Sequence, residues 1–440
     1  MPLENQVTNS IFILKVTKDG RKKMPRITVL NNPGVTYDFD EGSVTIGRAQ
    51  DCEIPIAQNS VSRKHARLTP TEEGWLLEDL DSHNGLFLHN TRIKSAILKH
   101  STNFRVGDVY LHIELPLSKE ELFEIAGQTH DIIQTFSNKI LGRNNIGQNM
   151  LIAAIAGGSV LLNGRHGQGK ALAFITMASI LKLHWRKIPM TPDTLPNDVL
   201  GSEVFINEND GISSRFIPGP IFSHAVLADE INRAPGKTQA ALIEAISLGK
   251  VAVANQFELL PKPLFFVATQ NTTPDATATP LSPGMLDNFA ISLDMEYPMP
   301  KEEVDIIMNS TSQEETAPEG LMNEDRLLDL QELLPSLPIQ QNVLEYAEKI
   351  VRLTRPEDRE APDFIHKNLI CGASTKAASD LVMCAKAKAL LDGREEATCN
   401  DVRELAISVL RHRIVLQDSN NEERTADDIV RRLLVAVPSD

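Results

Sequence analysis

The segment at residues 164–171, Gly-Arg-His-Gly-Gln-Gly-Lys-Ala, constrains the fold of this chain more than any other part of its sequence. It follows the apolar run SVLLN and precedes the helical run LAFITMASILKL. Gly-x-x-x-x-Gly-Lys between a strand and a helix is typical of a P-loop, whose glycines let backbone amides turn toward phosphates at a helix N-terminus. The residues predicted to bind the nucleotide are Gly164, Gly167, Gln168, Gly169, Lys170 and Ala171.

Polar side chains stand at the ends of two later apolar segments. HAVLA ends in Asp229 and Glu230, and LFFVATQN ends in Asn271. In a doubly wound sheet the nucleotide crevice lies at the carboxyl ends of the strands. We therefore expect Asp229 to coordinate Mg²⁺ directly or through water and Glu230 to polarise the attacking water. Asn271 is placed to orient that water or the γ-phosphate.

Position 171 departs from the P-loop pattern. That pattern has Ser or Thr there, whose hydroxyl binds Mg²⁺, whereas Ala171 has no hydroxyl. The metal would then be held chiefly by nucleotide oxygens and Asp229. ATP and Mg²⁺ are the predicted cofactors, and Lys170 is expected to reach the β- and γ-phosphates.

The hydrophobic periodicity of the sequence differs before, around and after this site. From Arg26 to Leu115 it reads as short alternating segments at roughly 8–12-residue intervals, which indicates an all-β sandwich. Strands then alternate with helices, as in an α/β core with a mainly parallel sheet, and the last part shows only helical periodicity. The predicted divisions are an N-terminal extension at 1–25, the sandwich at 26–117, the core at 118–308, a linker at 309–325 and a helical lid at 326–440.

Three polar turns of the sandwich carry residues suited to a phosphorylated peptide. Arg48 follows a strand, Ser62 and Arg63 lie in a second turn, and Asn84 lies in a third. A guanidinium offers a planar fork of donors to phosphate, a Ser hydroxyl adds another donor, and an Asn amide can hold an extended peptide backbone. Because loops on a rigid sandwich often carry recognition, the pattern favours a phosphopeptide clamp over ordinary surface polarity.

This order of turns resembles the forkhead-associated (FHA) domain, a phosphothreonine-binding module. The matching pairs are Gly-Arg at 47–48, Ser-x-x-His at 62–65 and Asn-Gly at 84–85. One departure is Leu86, where the family usually has Thr. The resemblance implies phosphate binding by Arg48, Ser62 and Arg63, and peptide-backbone binding by Asn84.

A second resemblance covers roughly residues 125–435. The sequence ADEINRAPGKTQAALIEAISLGKV, followed by FFVATQN, is similar to the MoxR family of AAA+ ATPases. The family implies an αβα core, a helical lid and ring hexamers that act as chaperone-like remodelling factors, often alongside proteins with von Willebrand A domains. It also implies two inserted hairpins, which match EVFINENDGISSRF and KVAVANQFELL.

Two further positions depart from that family. Asn288 stands in Leu-Asp-Asn-Phe, where the family has Leu-Asp-Arg-Phe, so it cannot serve as an arginine finger, a group worth ~10³–10⁵ in rate. Lys376 replaces the Arg of the lid motif, and we expect it to keep a positive charge for the γ-phosphate without the guanidinium fork. Together with Ala171, these changes predict slow hydrolysis. Arg233 of the INRAP motif is a candidate cation at a subunit interface.

The charge distribution bears on the class of partner. The first 118 residues carry 14 basic and 14 acidic residues, so the net charge of −15 belongs to the remainder. An acidic body argues against general nucleic-acid binding. The four cysteines form no Cys-x-x-Cys pair, and no apolar run reaches ~20 residues, so we expect a cytoplasmic protein with no zinc site, disulfide framework or membrane span.

Two functions stay open on this sequence. The first is a MoxR-type remodelling ATPase that an FHA domain docks onto a phosphothreonine-bearing partner. The second is a phosphothreonine-reading scaffold whose AAA+ part binds nucleotide but hydrolyses little or none of it. Glu230 favours the first, because a pure nucleotide binder needs no water-activating carboxylate, whereas Ala171 and Asn288 favour the second.

Overall fold

The computed structural model describes most of the chain, in two compact units, Met1–Leu122 and Phe123–Asp440. Most of the predicted N-terminal extension and residues 312–319 of the predicted linker lie outside the described residues, and the finer domain boundaries stay predictions. The described residues are 15–16, 22–23, 25–30, 35–39, 42–71, 74–88, 91–98, 102–115, 119–141, 143–208, 211–253, 256–273, 278–311, 320–417 and 425–438.

The first unit is a sandwich of two sheets, as its alternating segments predict. Its strands are β1 (Lys15–Val16), β2 (Lys22–Lys23), β3 (Arg26–Val29), β4 (Thr36–Asp38), β5 (Val44–Gly47), β6 (Ile54–Pro55), β7 (Ala66–Thr71), β8 (Gly74–Asp79), β9 (Leu86–Leu88), β10 (Thr91–Ile93), β11 (Ser95–Leu98), β12 (Thr102–Val106) and β13 (Val109–Glu114). One sheet has the order β10-β9-β12-β13-β3-β4, and the other has the order β11-β8-β7-β5-β6. Strands β1 and β2 pair with each other.

The sandwich has a hydrophobic core of its own. In β7, Ala66 and Leu68 are fully buried while Arg67 between them is exposed, which is the alternation of a strand with one face toward a core. The rings of Phe39 and Trp75 meet edge to face, with their centroids 5.2 Å apart. Each fully buried apolar side chain contributes ~1.5–3 kcal/mol, so this core holds the polar turns in place.

The second unit combines an α/β core with a bundle of helices. Its helices are α1 (Lys119–Lys139), α2 (Asn144–Ile155), α3 (Lys170–Ile180), α4 (Pro196–Leu200), α5 (Gly236–Leu248), α6 (Pro283–Leu286), α7 (Pro300–Thr311), α8 (Glu324–Leu333), α9 (Gln341–Arg352), α10 (Asp363–Asn368), α11 (Thr375–Leu391), α12 (Cys399–Leu410) and α13 (Ala426–Ala436). Its strands are β14 (Val160–Gly164), β15 (Trp185–Pro189), β16 (Gly201–Glu208), β17 (Gly211–Pro218), β18 (Ala225–Asp229), β19 (Lys250–Val253), β20 (Gln256–Leu259), β21 (Phe265–Asn271), β22 (Ile291–Asp294), β23 (Leu369–Cys371) and β24 (Val415–Leu416). Helix α1 begins just before the boundary between the units.

A parallel sheet in the order β15-β18-β21-β14-β22 forms the centre of this unit. Strands β18 and β21 are covered on both faces, which explains their continuous apolar sequences. On one face, Phe174 of α3 stacks on Phe265 of β21, with ring centroids 6.1 Å apart. Because the strands are parallel, the carboxyl ends of β14, β18 and β21 lie side by side and define the edge at which a ligand site is expected.

Both predicted hairpins are present, as β16 with β17 and as β19 with β20. The residues between the paired strands, 209–210 and 254–255, lie outside the described residues. The C-terminal part is helical as predicted, but it also contains a ribbon of β23 and β24. Those strands are only three and two residues long, too short to show a periodicity of their own. No helix among the described residues is long and apolar enough to cross a membrane.

Candidate functional site

The P-loop connects β14 to α3. Gly167 has φ of 78° and Gly169 has φ of 81°, a region that side-chain-bearing residues avoid, so glycine suits both positions. The side-chain oxygen of Gln168 accepts a hydrogen bond from the Arg165 amide at 2.6 Å, and this bond within the loop stabilises its conformation. The sequence therefore forms the turn that phosphate binding requires.

Lys170 is buried at the start of α3. Its ammonium donates hydrogen bonds to the carbonyl oxygens of Gly164 and Arg165, both at 2.7 Å. Burial lowers the pKa of Lys170, while the nearby carboxylates of Glu230 and Asp229 oppose that shift. The ammonium is thus hydrogen-bonded within the P-loop. To contact a nucleotide phosphate, it would have to give up or share these two hydrogen bonds.

Asp229, the predicted metal ligand, already has partners on both oxygens. Its Oδ1 accepts a hydrogen bond from the Thr269 hydroxyl at 2.7 Å, and the same hydroxyl accepts one from the Glu230 amide at 2.8 Å. Its Oδ2 lies 2.7 Å from the ammonium of Lys187 on the adjacent strand β15. Thr269 is fully buried on β21, the strand on the other side of β18, and its hydroxyl links the ends of these two strands.

The carboxylate of Glu230, the predicted water-activating residue, contacts a histidine and an arginine. The carboxylate lies 3.1 Å from the imidazole Nδ1 of His166 in the P-loop and 3.1 Å from a guanidinium nitrogen of Arg233. His166 also contacts the side-chain amide of Asn271 through Nε2. The structure thus places Glu230 and Asn271 on either side of His166, and their roles in hydrolysis stay predictions. Arg233, considered as a subunit-interface cation, contacts a carboxylate of its own chain.

The side chains at the expected Mg²⁺ position do not fit the ion. Ala171 supplies no oxygen, and the two oxygens of Asp229 are taken by Thr269 and Lys187. Mg²⁺ requires oxygen ligands in near-octahedral geometry and gives up water reluctantly. An ion at this position would therefore have to compete with the Lys187 ammonium for the Asp229 carboxylate.

Asn288 and Lys376 lie together, in a different place from the P-loop. Both line a cavity of about 530 Å³ between the α/β core and the helical bundle, and no residue of 164–171 lines it. Asn288 donates a hydrogen bond to the Gly284 carbonyl at 2.9 Å, and the Lys376 ammonium donates one to Asp380 at 2.8 Å. The two departures from the family pattern thus share one surface, and Lys376 remains only a predicted contact to a γ-phosphate.

The turn that carries Asn288 is fixed by residues from the C-terminal part of the chain. The Ser374 hydroxyl donates to the Asp287 carboxylate, at 2.8 Å to the nearer oxygen. Arg413, whose side chain is 1% exposed, reaches the same carboxylate, the Phe289 carbonyl at 2.7 Å and the Asp380 carboxylate. The Asp287 turn is therefore joined to the helical bundle by a buried guanidinium.

In the sandwich, the three predicted loops converge on residues 59–62. The Arg48 guanidinium donates to the Asn59 side chain at 3.3 Å, and the Asn84 amide donates to the Ser60 carbonyl at 2.7 Å. The Ser62 hydroxyl accepts a hydrogen bond from the His83 amide at 3.1 Å. Arg63 is exposed beside them. The four residues predicted to contact a phosphopeptide therefore belong to one surface of the sandwich.

His65 joins two of these loops from below. It is fully buried, and its Nδ1 accepts a hydrogen bond from the Ser62 amide at 3.0 Å. Its Nε2 lies 3.0 Å from the Gly85 carbonyl, so Nε2 carries the proton in this arrangement. Burial lowers the pKa of His65, which keeps the ring neutral. A side chain at Gly47 would collide with the Arg63 backbone, so this glycine permits the close approach of two loops.

Sequence reasoning overlooked Lys187, Thr269 and His166. Lys187 lies in an unremarkable strand, and only the order of strands in the sheet places it beside Asp229. Thr269 is two residues before the predicted Asn271, at a position where a hydroxyl inside an apolar strand is a detectable signal. His166 occupies a variable position of the P-loop motif, whose pattern says nothing about side chains there.

Family models match three parts of the chain. The model described as the ATPase family associated with various cellular activities (AAA) matches residues 159–291. The AAA lid domain model matches residues 364–433, in the helical part that follows the core. The FHA domain model matches residues 44–107, within the sandwich.

Known proteins resemble the chain over the same regions. Chaperone MoxR1 of Mycobacterium tuberculosis is 31% identical over 68% of this chain and 79% of its own length. YeaC of Bacillus subtilis is 32% identical over 72% of this chain and 96% of its own length. The crystal structure of a proposed ATPase from Cytophaga hutchinsonii is 26% identical, covers 73% of this chain and 98% of its own, and superposes with a TM-score of 0.67. The FHA domain-containing protein FhaB of Mycolicibacterium smegmatis is 34% identical over 22% of this chain and 55% of its own length.

Proposed function

Because the chain belongs to the MoxR family of AAA+ ATPases and carries an FHA domain, we propose that it is a chaperone-like remodelling ATPase recruited to phosphothreonine-bearing partners. The observation that carries the recruitment half is the convergence of Arg48, Ser62 and Asn84 on residues 59–62. The remodelling half is supported by the likeness to a protein named as a chaperone. Members of the family use ATP, typically with Mg²⁺, and we propose the ring hexamer of the family for this chain.

The surface formed by the three loops suits an anion, although the domain that carries it has no net charge. Arg48 is exposed, and its partner Asn59 is a neutral amide at the long distance of 3.3 Å, which a phosphate oxygen can replace with a charge-assisted bond. The first 118 residues have balanced charge, so attraction to a dianionic phosphate must come from Arg48 and Arg63 themselves. The Asn84 amide, bonded to a backbone carbonyl, lies at the same surface to meet a peptide backbone.

Hydrolysis is proposed to be slow. Lys170, Glu230 and Asn271 supply the phosphate cation, the water-activating carboxylate and the γ-phosphate sensor that the family uses. Glu230 is engaged by His166 and Arg233, so its carboxylate has to exchange a partner before it can polarise water. Ala171 lacks the P-loop hydroxyl, and Asn288 replaces the arginine finger, which lowers the expected rate further.

A second function is favoured by one specific contact. The ion pair between Asp229 and Lys187 occupies a carboxylate that a turning-over ATPase needs. This contact supports a scaffold that reads phosphothreonine and uses bound nucleotide to set its shape without hydrolysing it. The two functions differ in steady-state phosphate release, which a Glu230→Gln variant must lower if the chain is an ATPase and must leave unchanged if it is a scaffold.

The Arg48→Ala substitution tests the recruitment half. Residues 26–115 contain the core of the sandwich, so we expect them to fold when prepared alone. We expect this segment to bind a phosphothreonine peptide in preference to its phosphoserine and unphosphorylated forms, with Arg48→Ala weakening the binding at least tenfold. A charge-assisted phosphate contact is worth ~1.5–3 kcal/mol. Fluorescence anisotropy against a phosphothreonine peptide library measures it.

The control is Arg67→Ala, which removes the same charge from an exposed position within strand β7, outside the three loops. It should bind as tightly as the unaltered segment. Failure of the segment to retain any phosphothreonine peptide, or equal binding by Arg48→Ala, would contradict recruitment through this surface.

The Lys170→Ala substitution tests the nucleotide site. We expect it to weaken ATP and ADP binding at least tenfold, since it removes a buried cation whose contribution to a phosphate contact is ~1.5–3 kcal/mol. Titration calorimetry on the full chain measures the affinities. Lys349→Ala, an exposed lysine of α9, is the matched control and should have no effect. Equal nucleotide binding by Lys170→Ala and the unaltered chain would show that the site is assigned to the wrong residues.

A further inference from the structure

The cation that lies beside Asp229 is the ammonium group of Lys187. The Lys187 ammonium lies 2.7 Å from Asp229 Oδ2, at the strand end where the family pattern expects a metal. Strand β15 places it there, because Pro189 pairs with Asp229 across the sheet and Lys187 lies two residues before it. The side chain is 40% exposed, so the ion pair is not sealed inside the protein.

Lys187 also lies on the same face of the sheet as α3. Alternate residues of a strand share a face, so Lys187 and Trp185 point the same way. Trp185 meets Phe174 of α3 edge to face, with ring centroids 6.3 Å apart. Helix α3 packs on this face through Phe174 and begins at Lys170, so its first turn, where Ala171 has no hydroxyl, lies on the face of the sheet that carries Lys187. The missing hydroxyl and the added ammonium are therefore on the same side of the sheet.

The two carboxylates at the site are each paired with a cation of the protein. A bound polyphosphate would face the carboxylates of Asp229 and Glu230, a repulsion that a divalent cation ordinarily offsets. Here Lys187 pairs with Asp229 and Arg233 pairs with Glu230, while Lys170 lies in the P-loop. The side chains already present can therefore neutralise the crevice that receives the phosphates.

We propose that Lys187 takes the place of the divalent metal, so that this chain binds nucleoside di- and triphosphates without Mg²⁺. The inference rests on the proposed nucleotide-binding function. It assigns to Lys187 a role in ligand binding that the P-loop pattern assigns to a hydroxyl and a metal ion. It also accounts for the coexistence of an intact P-loop lysine with an alanine at position 171.

The test is titration calorimetry of the full chain with ADP and with a non-hydrolysable ATP analogue, in buffer with MgCl₂ and in buffer with EDTA. For the unaltered chain we expect dissociation constants that agree within about threefold between the two buffers. Lys187→Met should weaken binding in EDTA at least tenfold, and Lys187→Arg, which keeps the charge, should preserve it. The double variant Ala171→Thr/Lys187→Met should bind at least tenfold more tightly with MgCl₂ than with EDTA.

Arg186→Met is the matched control, because Arg186 precedes Lys187 on the same strand and points to the other face. It should leave binding unchanged in both buffers, which also shows that loss of a cation from β15 does not itself unfold the site. Nucleotide binding by the unaltered chain that EDTA weakens more than tenfold would overturn this inference alone. Absence of binding in both buffers would overturn the proposed nucleotide-binding function and this inference with it.

Discussion

ATP turnover should rise at least tenfold when Ala171→Thr and Asn288→Arg are combined, relative to the unaltered chain. The first change supplies the hydroxyl that the P-loop pattern places after its lysine. The second supplies the guanidinium that AAA+ rings present to a neighbouring γ-phosphate, a group worth ~10³–10⁵ in rate where its geometry is right. Steady-state phosphate release at saturating ATP measures the effect.

The structure has room for the longer side chain. Asn288 lines a cavity of about 530 Å³, and its own hydrogen bond to the Gly284 carbonyl is a local one within the α6 turn. The turn itself is held through Asp287 by Ser374 and Arg413, so a residue at 288 is presented from a rigid base. Lys376 lines the same cavity and adds a second cation to that surface.

Two controls make the result specific. Asn288→Gln lengthens the side chain without adding charge and should give no gain. Glu230→Gln in the double variant should abolish the gain, because the added groups act only through an activated water. If the double variant assembles as the unaltered chain does and still hydrolyses ATP no faster, even after Lys187→Met is added, these two positions do not limit the chemistry, and the scaffold function becomes the better description.

The sequence was sufficient to predict the parts of the fold that local patterns encode. Alternation of apolar and polar residues predicted the sandwich, and alternation of strands with helices predicted the parallel sheet. The P-loop was predicted because glycines and a lysine at fixed spacing, between a strand and a helix, suit very few other structures. The convergence of Glu230 and Asn271 followed from the rule that parallel strands present their carboxyl ends at one edge.

The contacts that set the electrostatics of the site could not be predicted in the same way. Lys187 and Asp229 are distant in sequence and meet because β15 lies next to β18, and the order of strands is not written in any local pattern. His166 reaches Glu230 for the same reason, across the strand β21 that separates β14 from β18. Likewise, the grouping of Asn288 with Lys376 depends on how the helical bundle packs on the core.

Arg413→Met should destabilise the second unit by about 3 kcal/mol, because it removes a buried cation from between two carboxylates. The guanidinium pairs with Asp380 and lies 3.2 Å from Asp287, and it also donates to the Phe289 carbonyl. Breaking a buried ion pair from one side typically costs ~3–5 kcal/mol. The lower end applies here, since Asp380 keeps Lys376 and Asp287 keeps Ser374 as partners.

Urea unfolding followed by Trp185 fluorescence measures this loss, in a Trp75→Phe background that leaves one tryptophan in the chain. Arg431→Met is the matched control, since that arginine is 60% exposed and its ion pairs are expected to contribute less than about 0.5 kcal/mol. Adding Asp380→Asn to Arg413→Met should recover part of the stability, because the cost comes from a carboxylate that has lost its buried partner. Equal midpoints for Arg413→Met and Arg431→Met would mean that the buried guanidinium does not hold the Asp287 turn to the helical bundle, and that the surface bearing Asn288 is positioned by apolar packing instead.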